Sequence, residues 1–580
     1  MTNLGKSDTM WKIKGIAASA GIAIGTIVHM QEAVHDFCRL VDASQAPAEK
    51  ERFYTAQQAA EKELEILQER TAINMGEQQA EVFAAHKLMV TDPSFVEVVL
   101  NHIDNHQASA EAAVEDAANE IAAMFAGLDS EYMQERAADI KDIGKRLVRI
   151  LQGGTAEVNY TGVLAAQDLL PSDTAALDLN YVSGFITALG GKTSHSSILA
   201  RAAGIPAVVG VGSALEKLNN GDNVIVDGHV GEVLVNPEED ILNDYRLRIK
   251  KEQERAALLA SVGHLPSETL DGHHIELACN IGTPGDMEKV IAAGAEGVGL
   301  FRTEFLFLDK TSVPTEEEQV ESYKAVLAAM PDKKIVIRTL DAGGDKQLPF
   351  IGGLPEANPA LGLRAIRLCM VYQDVFKTQL RALLRASVAG NLHIMFPMIA
   401  TVDELLSAKA LLNEAAKELT QEGIPYKSDV AVGIMVEVPA AAAIADILAE
   451  EVDFFSIGTN DLVQYTMAAD RMNEHVAYLS DYFQPPVVRL IGNVAKAAQK
   501  AGKWVGMCGE MAGDPLATPL LVGLGLTELS MNGRAVPVVK HRIRQLDIKQ
   551  TQKWADDILS LRTASDIKKR LEEIALQFEI

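Results

Sequence analysis

Phe454-Phe455-Ser456-Ile457-Gly458-Thr459-Asn460-Asp461 reads as a short buried strand that stops at a glycine and sets two polar side chains just past its end. A brief apolar run with turn punctuation predicts a strand. The same order recurs on both sides of it. Strand-like runs fall at Glu276–Cys279, Gly297–Phe301, Lys334–Arg338, His393–Phe396, Val432–Val436, Phe454–Ile457, Trp504–Met507 and Glu528–Met531, with helical patterns between them. Eight strand–helix units over residues 265–580 predict a parallel (β/α)8 barrel of the TIM type, with a doubly wound sheet as the competing topology. The polar residues decide for the barrel. Arg302, Arg338, Glu437, Asn460, Asp461 and Cys508 all fall at or just past the C-terminal end of a strand, where barrel active sites are built.

Upstream, the pattern changes twice. Ile22, Ile24 and Val28 lie in a β-like stretch within residues 1–32. Residues 48–75 then lack Gly and Pro altogether, and helical spacing follows through Val96, Val99 and Ile103 and again through Ile140, Ile143 and Leu147. Residues 33–150 therefore read as an all-α insertion of several packed helices. Strand signals return at Gly162–Ala166, Val182–Thr187, Ala207–Gly210, Asn223–Val226 and Glu232–Val235. Residues 1–32 and 151–238 are expected to form one swivelling α/β domain, joined by a charged helical linker at 239–264 to the barrel.

That first domain holds Gly190-Gly191-Lys192-Thr193-Ser194-His195-Ser196-Ser197, running on to Gly204-Ile205-Pro206. Thr193 or Ser194 predicts an N-cap whose hydroxyl accepts from a first-turn N–H. Gly204 and Pro206 predict the stop. His195 then sits in the first turn, at the positive end of the helix dipole and among orphan N–H donors. Both suit an arriving phosphate. The same field favours the neutral imidazole, which is the nucleophile. A capped surface helix with an incidental histidine is the bland alternative, and the barrel residues weigh against it.

Arg302, Arg338, Arg364 and Arg471 follow strand ends, and Lys346 adds a point charge. One arginine alone usually means a surface ion pair. Four at one mouth imply a small, multiply charged anion gripped bidentately. Glu437 and Asp461 offer oxygen donors suited to Mg²⁺, or else buried partners for the arginines. Asn460 could donate to a phosphate or carboxylate. Cys508 is either a structural thiol or, among glycines at an anion site, an acid that protonates a carbanion. Together these residues predict phosphoryl transfer from a small phosphorylated carboxylate to His195.

Composition bounds the partners. A formal charge of −27 over 580 residues argues against nucleic acid and anionic membranes. Cys38, Cys279, Cys369 and Cys508 show no metal or disulfide spacing, which fits a reducing cytoplasm. Apolar runs are too short or too broken for a bilayer span.

The segments Gly190–His195, Pro171-Ser172-Asp173-Thr174, Asp341–Lys346, Ser456–Leu462 and Gly506-Met507-Cys508-Gly509-Glu510 resemble the Enzyme I family of the bacterial sugar phosphotransferase system, the phosphoenolpyruvate–protein phosphotransferases. The likeness runs from Ile13 to the C-terminus. It implies that His195 is phosphorylated through Nε2 and that the Thr174 hydroxyl contacts its ring. It implies that Arg302, Arg338, Arg471 and Asn460 hold phosphoenolpyruvate, with Arg364 and Lys346 nearby. Glu437 and Asp461 would bind Mg²⁺, and Cys508 would protonate the enolate to pyruvate. The helical insertion would dock the phosphocarrier protein HPr through His86, Met89 and Arg136, and the barrel would form a homodimer. Two departures stand out. Ala188 replaces an acidic residue before the glycine pair, and Ser480-Asp481-Tyr482-Phe483-Gln484 replaces a Tyr-Gln-Pro turn. The rival is a dikinase or phosphoenolpyruvate-synthase type of enzyme. Those carry a large ATP domain, whereas here the first half is spent on helices and shows no Gly-rich nucleotide loop.

Overall fold

The computed structural model describes residues 10–30, 37–75, 77–126, 131–154, 160–169, 177, 181–192, 194–308, 310, 312–343 and 356–578. For residues 70, 72–75, 77–79, 126, 131–135, 138, 195 and 202 it describes the backbone alone. The chain divides into two compact units, Met1–Glu252 and Gln253–Ile580.

In the first unit, eight strands form one sheet. They are β1 (Trp11–Lys14), β2 (Ile16–Ser19), β3 (Ile22–His29), β4 (Gly162–Ala166), β5 (Val182–Thr187), β6 (Ala207–Val209), β7 (Asn223–Asp227) and β8 (Glu232–Val235), in the order β1-β8-β7-β3-β4-β5-β6-β2. The strands from β3 to β6 run parallel, and the outer pairings are antiparallel. Alternating Val163, Ala165, Val224, Val226, Val233 and Val235 bury one face in a shared core.

Five helices separate β3 from β4: α1 (Ala46–Met75), α2 (Glu77–Val90), α3 (Pro93–His106), α4 (Ala110–Ala126) and α5 (Glu131–Leu151). The start of α3 shows why the chain turns helical there. Asp92 accepts from the Ser94 N–H at 2.7 Å, and Pro93 takes the first helical position. Phe95, Val99 and Ile103 then recur on one face and join Phe53, Leu64, Phe83 and Leu147 in the helical core.

The second unit is the expected barrel. Strands β9 (Glu276–Ile281), β10 (Val298–Arg302), β11 (Lys334–Arg338), β12 (Asn391–Phe396), β13 (Ala431–Val436), β14 (Phe454–Ile457), β15 (Trp504–Met507) and β16 (Glu528–Met531) close in sequence order, all parallel. Inside it lie Leu300, Val336, Met395, Met435, Phe454 and Cys508. Among the described residues no helix is long and apolar enough to cross a membrane.

A polar cluster closes the other end of the barrel. Lys334 Nζ lies 2.6 Å from Glu276, 3.1 Å from Glu528 and 3.8 Å from the Trp504 ring centre. Burial, helped by Glu276, pushes the Glu528 carboxyl up to about 7, with Lys334 opposing in part. A carboxyl raised in the folded state binds its proton more tightly than in the unfolded chain. Its stabilising share is complete below the ordinary carboxyl range and is lost as pH rises towards neutrality. Urea unfolding of Glu528→Gln is therefore expected to show less loss of stability between pH 5 and pH 8 than the parent. Parallel pH profiles would contradict this.

Candidate active site

The ladder register brings the strand ends to one rim. Arg302 and Arg338 are Cα partners at the ends of β10 and β11. Val436 pairs with Ile457, and Ile457 with Met507. Glu437, Gly458 and Cys508 each come one residue later, side by side. Asn460 and Asp461 open the helix Thr459–Met467, and Arg364 immediately precedes the helix Ala365–Val371.

Four of the expected residues form one buried charge network with two more acids. Arg338 reaches Glu304 at 2.8 Å and Asp341 at 2.9 Å. Arg364 reaches Asp341 at 3.0 Å, Asp461 at 3.3 Å and the Tyr465 hydroxyl at 3.0 Å. Burial works against the charge of both arginines, but the carboxylates outweigh it, so each guanidinium holds its proton more tightly than usual. Glu304 and Asp341 were not among the expected site residues. Their signal is position: each lies two or three places past an arginine at a strand end.

Glu437 is the odd carboxylate of this network. Its Oε1 accepts from the Met398 N–H at 2.6 Å, while its buried Oε2 has no hydrogen-bond partner among the described residues. Met398, whose N–H makes this bond, adopts φ 57°, a conformation that residues other than glycine disfavour. Burial, then the charges of Asp461 and Asp341, push the Glu437 carboxyl up to about 8 despite both arginines. A buried carboxylate oxygen without a hydrogen-bond partner, on a residue that feels the charge of Asp461, fits a small hard cation such as Mg²⁺, which accepts oxygen donors. Among the described residues no group of three or more His, Cys, Asp or Glu side chains is arranged to hold a metal unaided.

Cys508 is buried at the interior end of this network. Burial pushes its thiol up to about 12, with Ser456 and Arg338 opposing in part, so it stays protonated at neutral pH. Its carbonyl accepts from Asn280 Nδ2 at 2.9 Å. Gly509 follows because a Cβ there would lie 1.9 Å from Thr459 Oγ1 and 2.6 Å from the Thr459 nitrogen.

Other expected residues stand apart from the network. Arg302 stacks on Phe305 at 5.3 Å and has no carboxylate partner among the described residues. Asn460 is engaged with Glu510, donating to Oε1 at 3.3 Å and accepting from its N–H at 3.2 Å. Arg471 is exposed, its backbone N–H donating to Gln464 at 3.2 Å. Lys346 and Thr174 lie outside the described residues.

In the first unit, α6 (His195–Ala203) begins at His195, whose side chain lies outside the described atoms. Ser194 is the N-cap, but it does not cap as expected. Its hydroxyl donates back to the Gly191 carbonyl at 2.8 Å and lies 3.0 Å from both Ser196 Oγ and Ser197 Oγ. Among the described residues the Ser194 hydroxyl therefore caps none of the first-turn N–H groups, which are the kind of donors an anion takes. Gly190, at φ +103°, sets the tight approach, and Gly204, at φ 67°, ends the helix as expected.

The helical insertion brings one correction. His86 is fully buried, 3.2 Å from Asp139 and 3.6 Å from Asp142, so it cannot present its ring to a docking partner. It lies one turn from Phe83 on the core face of α2. Met89 is half-buried against the same core, and Arg136 is half-buried beside Asp139 at 3.3 Å.

Comparison with known proteins places the chain in a class. Models of phosphoenolpyruvate-utilising enzymes match three segments: the N-terminal part at residues 14–136, the mobile domain at 159–231 and the PEP-binding domain at 256–548. The phosphoenolpyruvate-protein phosphotransferase of Priestia megaterium is 48% identical over 560 residues, covering 96% of this chain and 98% of its own. That of Geobacillus stearothermophilus is 48% identical over 559 residues, covering 96% of each chain. That of Bacillus subtilis is 46% identical over 562 residues, covering 96% of this chain and 98% of its own. The chain belongs to the phosphoenolpyruvate-protein phosphotransferase family.

Proposed function

We propose that this protein takes the phosphoryl group of phosphoenolpyruvate onto His195, passes it to a histidine of the phosphocarrier protein HPr, and releases pyruvate. This is the first step of sugar uptake by a phosphotransferase system. The observation that carries the reading is the barrel mouth: arginines at adjoining strand ends beside a buried thiol held protonated. A dianionic phosphate and a carboxylate on one small substrate suit the arginines, and a carbanion product suits the acid.

Arg302, Arg338, Arg364 and Arg471, with Lys346 and Asn460, bind and orient the substrate. In transfer, the phosphorus–oxygen bond to the enol oxygen breaks as the His195 ring nitrogen takes the phosphoryl group, with Thr174 touching that ring. The enolate carbon then takes the proton of Cys508, leaving a thiolate that regains a proton from water. Glu437 and Asp461 would hold Mg²⁺, which when bound would offset phosphate charge as a Lewis acid. Met89 and Arg136 lie on the helical face proposed to meet HPr. We place the active protein in the cytoplasm as a homodimer through the barrel.

The test is a chase of label. With labelled phosphoenolpyruvate and Mg²⁺, the protein is expected to carry an acid-labile, base-stable phosphoryl group that moves to added HPr. Label that requires ATP would overturn the reading.

A further inference from the structure

The segment Ser480-Asp481-Tyr482-Phe483-Gln484 is tied at several points. The Tyr482 hydroxyl donates to Asp514 Oδ2 at 2.9 Å. Asp481 accepts from the Phe483 N–H at 3.0 Å and pairs with Lys568 at 2.7 Å. The rings of Tyr482 and Phe483 meet edge to face at 4.7 Å, with Phe483 buried in the barrel core.

Each partner of the Tyr482–Asp514 bond closes a segment that carries a site residue. Upstream, residues 468–484 begin where Gln464 anchors the chain. Its backbone carbonyl accepts from the Ala469 N–H at 3.1 Å and its side chain from the Arg471 N–H at 3.2 Å. Arg471 is therefore held from one end by Gln464, and the segment is closed at the other by Tyr482. Residues 508–514 begin at Cys508, whose N–H donates to the Ile457 carbonyl at 3.1 Å. They are held midway by the double Asn460–Glu510 contact and end at Asp514, which also accepts from the Leu516 N–H at 2.8 Å.

We propose that Tyr482 and Asp514 are positioning residues. Their hydrogen bond braces the loop carrying Arg471 against the loop carrying Cys508, so that substrate grip and proton delivery share one geometry. The inference rests on the function proposed above. Burial and the Asp514 charge both keep the Tyr482 phenol protonated, so the brace persists across the working pH range. Tyr482 is half-buried on a loop, so removing its hydroxyl spares the core.

The experiment separates the two half-reactions in the full chain. Tyr482→Phe and Asp514→Ala are each expected to raise the KM for phosphoenolpyruvate about tenfold, the scale of a lost hydrogen bond to a charged group. The double variant should be no worse than either single, because both remove one interaction. Transfer from the already phosphorylated protein to HPr should be unchanged, which a general loosening of the chain would not allow. An unaltered KM in Tyr482→Phe, additive effects in the double variant, or equal slowing of both half-reactions would overturn the brace. If the parent protein takes no label from phosphoenolpyruvate, the underlying function fails. If the parent is labelled and the variants match it, the brace alone fails.

Discussion

Cys508→Ala is expected to slow pyruvate formation by about 10²–10⁴-fold, the usual contribution of a positioned general acid, while phosphoenolpyruvate still binds. The thiol suits the task because burial raises its proton affinity, up to about 12, so the acid form is present at every working pH. It does not compete for the substrate's anionic groups, which the arginines take. The loss should therefore appear in kcat and spare the dissociation constant. Cys508→Ser is the control: a hydroxyl keeps the volume but is a far weaker acid. Turnover of the alanine variant at the parent rate would remove Cys508 from proton transfer.

Arg338→Met is expected to be the most damaging change at the mouth. It leaves Glu304 and Asp341 without the guanidinium that both contact, and both are nearly fully buried. Removing one partner of a buried ion pair costs about 3–5 kcal/mol. Glu304 would lose its guanidinium contact and Asp341 would keep only that of Arg364, so their carboxyls would rise in pKa and the deficit should be largest at pH 8 and shrink towards pH 5, where they take up protons. Denaturant unfolding at the two pH values measures this. Phosphoenolpyruvate binding should be lost in parallel, and Arg338→Lys should recover part of the stability but little of the bidentate grip. A methionine variant as stable as the parent at pH 8 would contradict the network.

The barrel was legible because its strands are short apolar runs cut off by glycine or charge. Lys334–Arg338, Phe454–Ile457, Trp504–Met507 and Glu528–Met531 lie where the pattern put them. The rim residues were legible for the same reason, since a polar group one step past a buried strand has few other places to go. Pairings across the rim were not. Glu304 follows Arg302 closely but binds Arg338, a choice made by the β10–β11 register rather than by sequence distance. Glu276 and Glu528 meet only because β16 closes onto β9, which no local pattern announces. The Ser194 cap was misjudged because a serine hydroxyl can bond back to a carbonyl as readily as forward to an N–H. The burial of His86 is legible from Phe83, which three residues earlier marks the core face of the helix.

All of this turns on where the phosphoryl group goes. The direct measurement is mapping of the phosphorylated residue after brief exposure to labelled phosphoenolpyruvate and Mg²⁺, in the parent protein and in His195→Ala. A single phosphohistidine at His195 and no label in the variant are expected. Label retained in His195→Ala, or found on another residue of the parent, would contradict this.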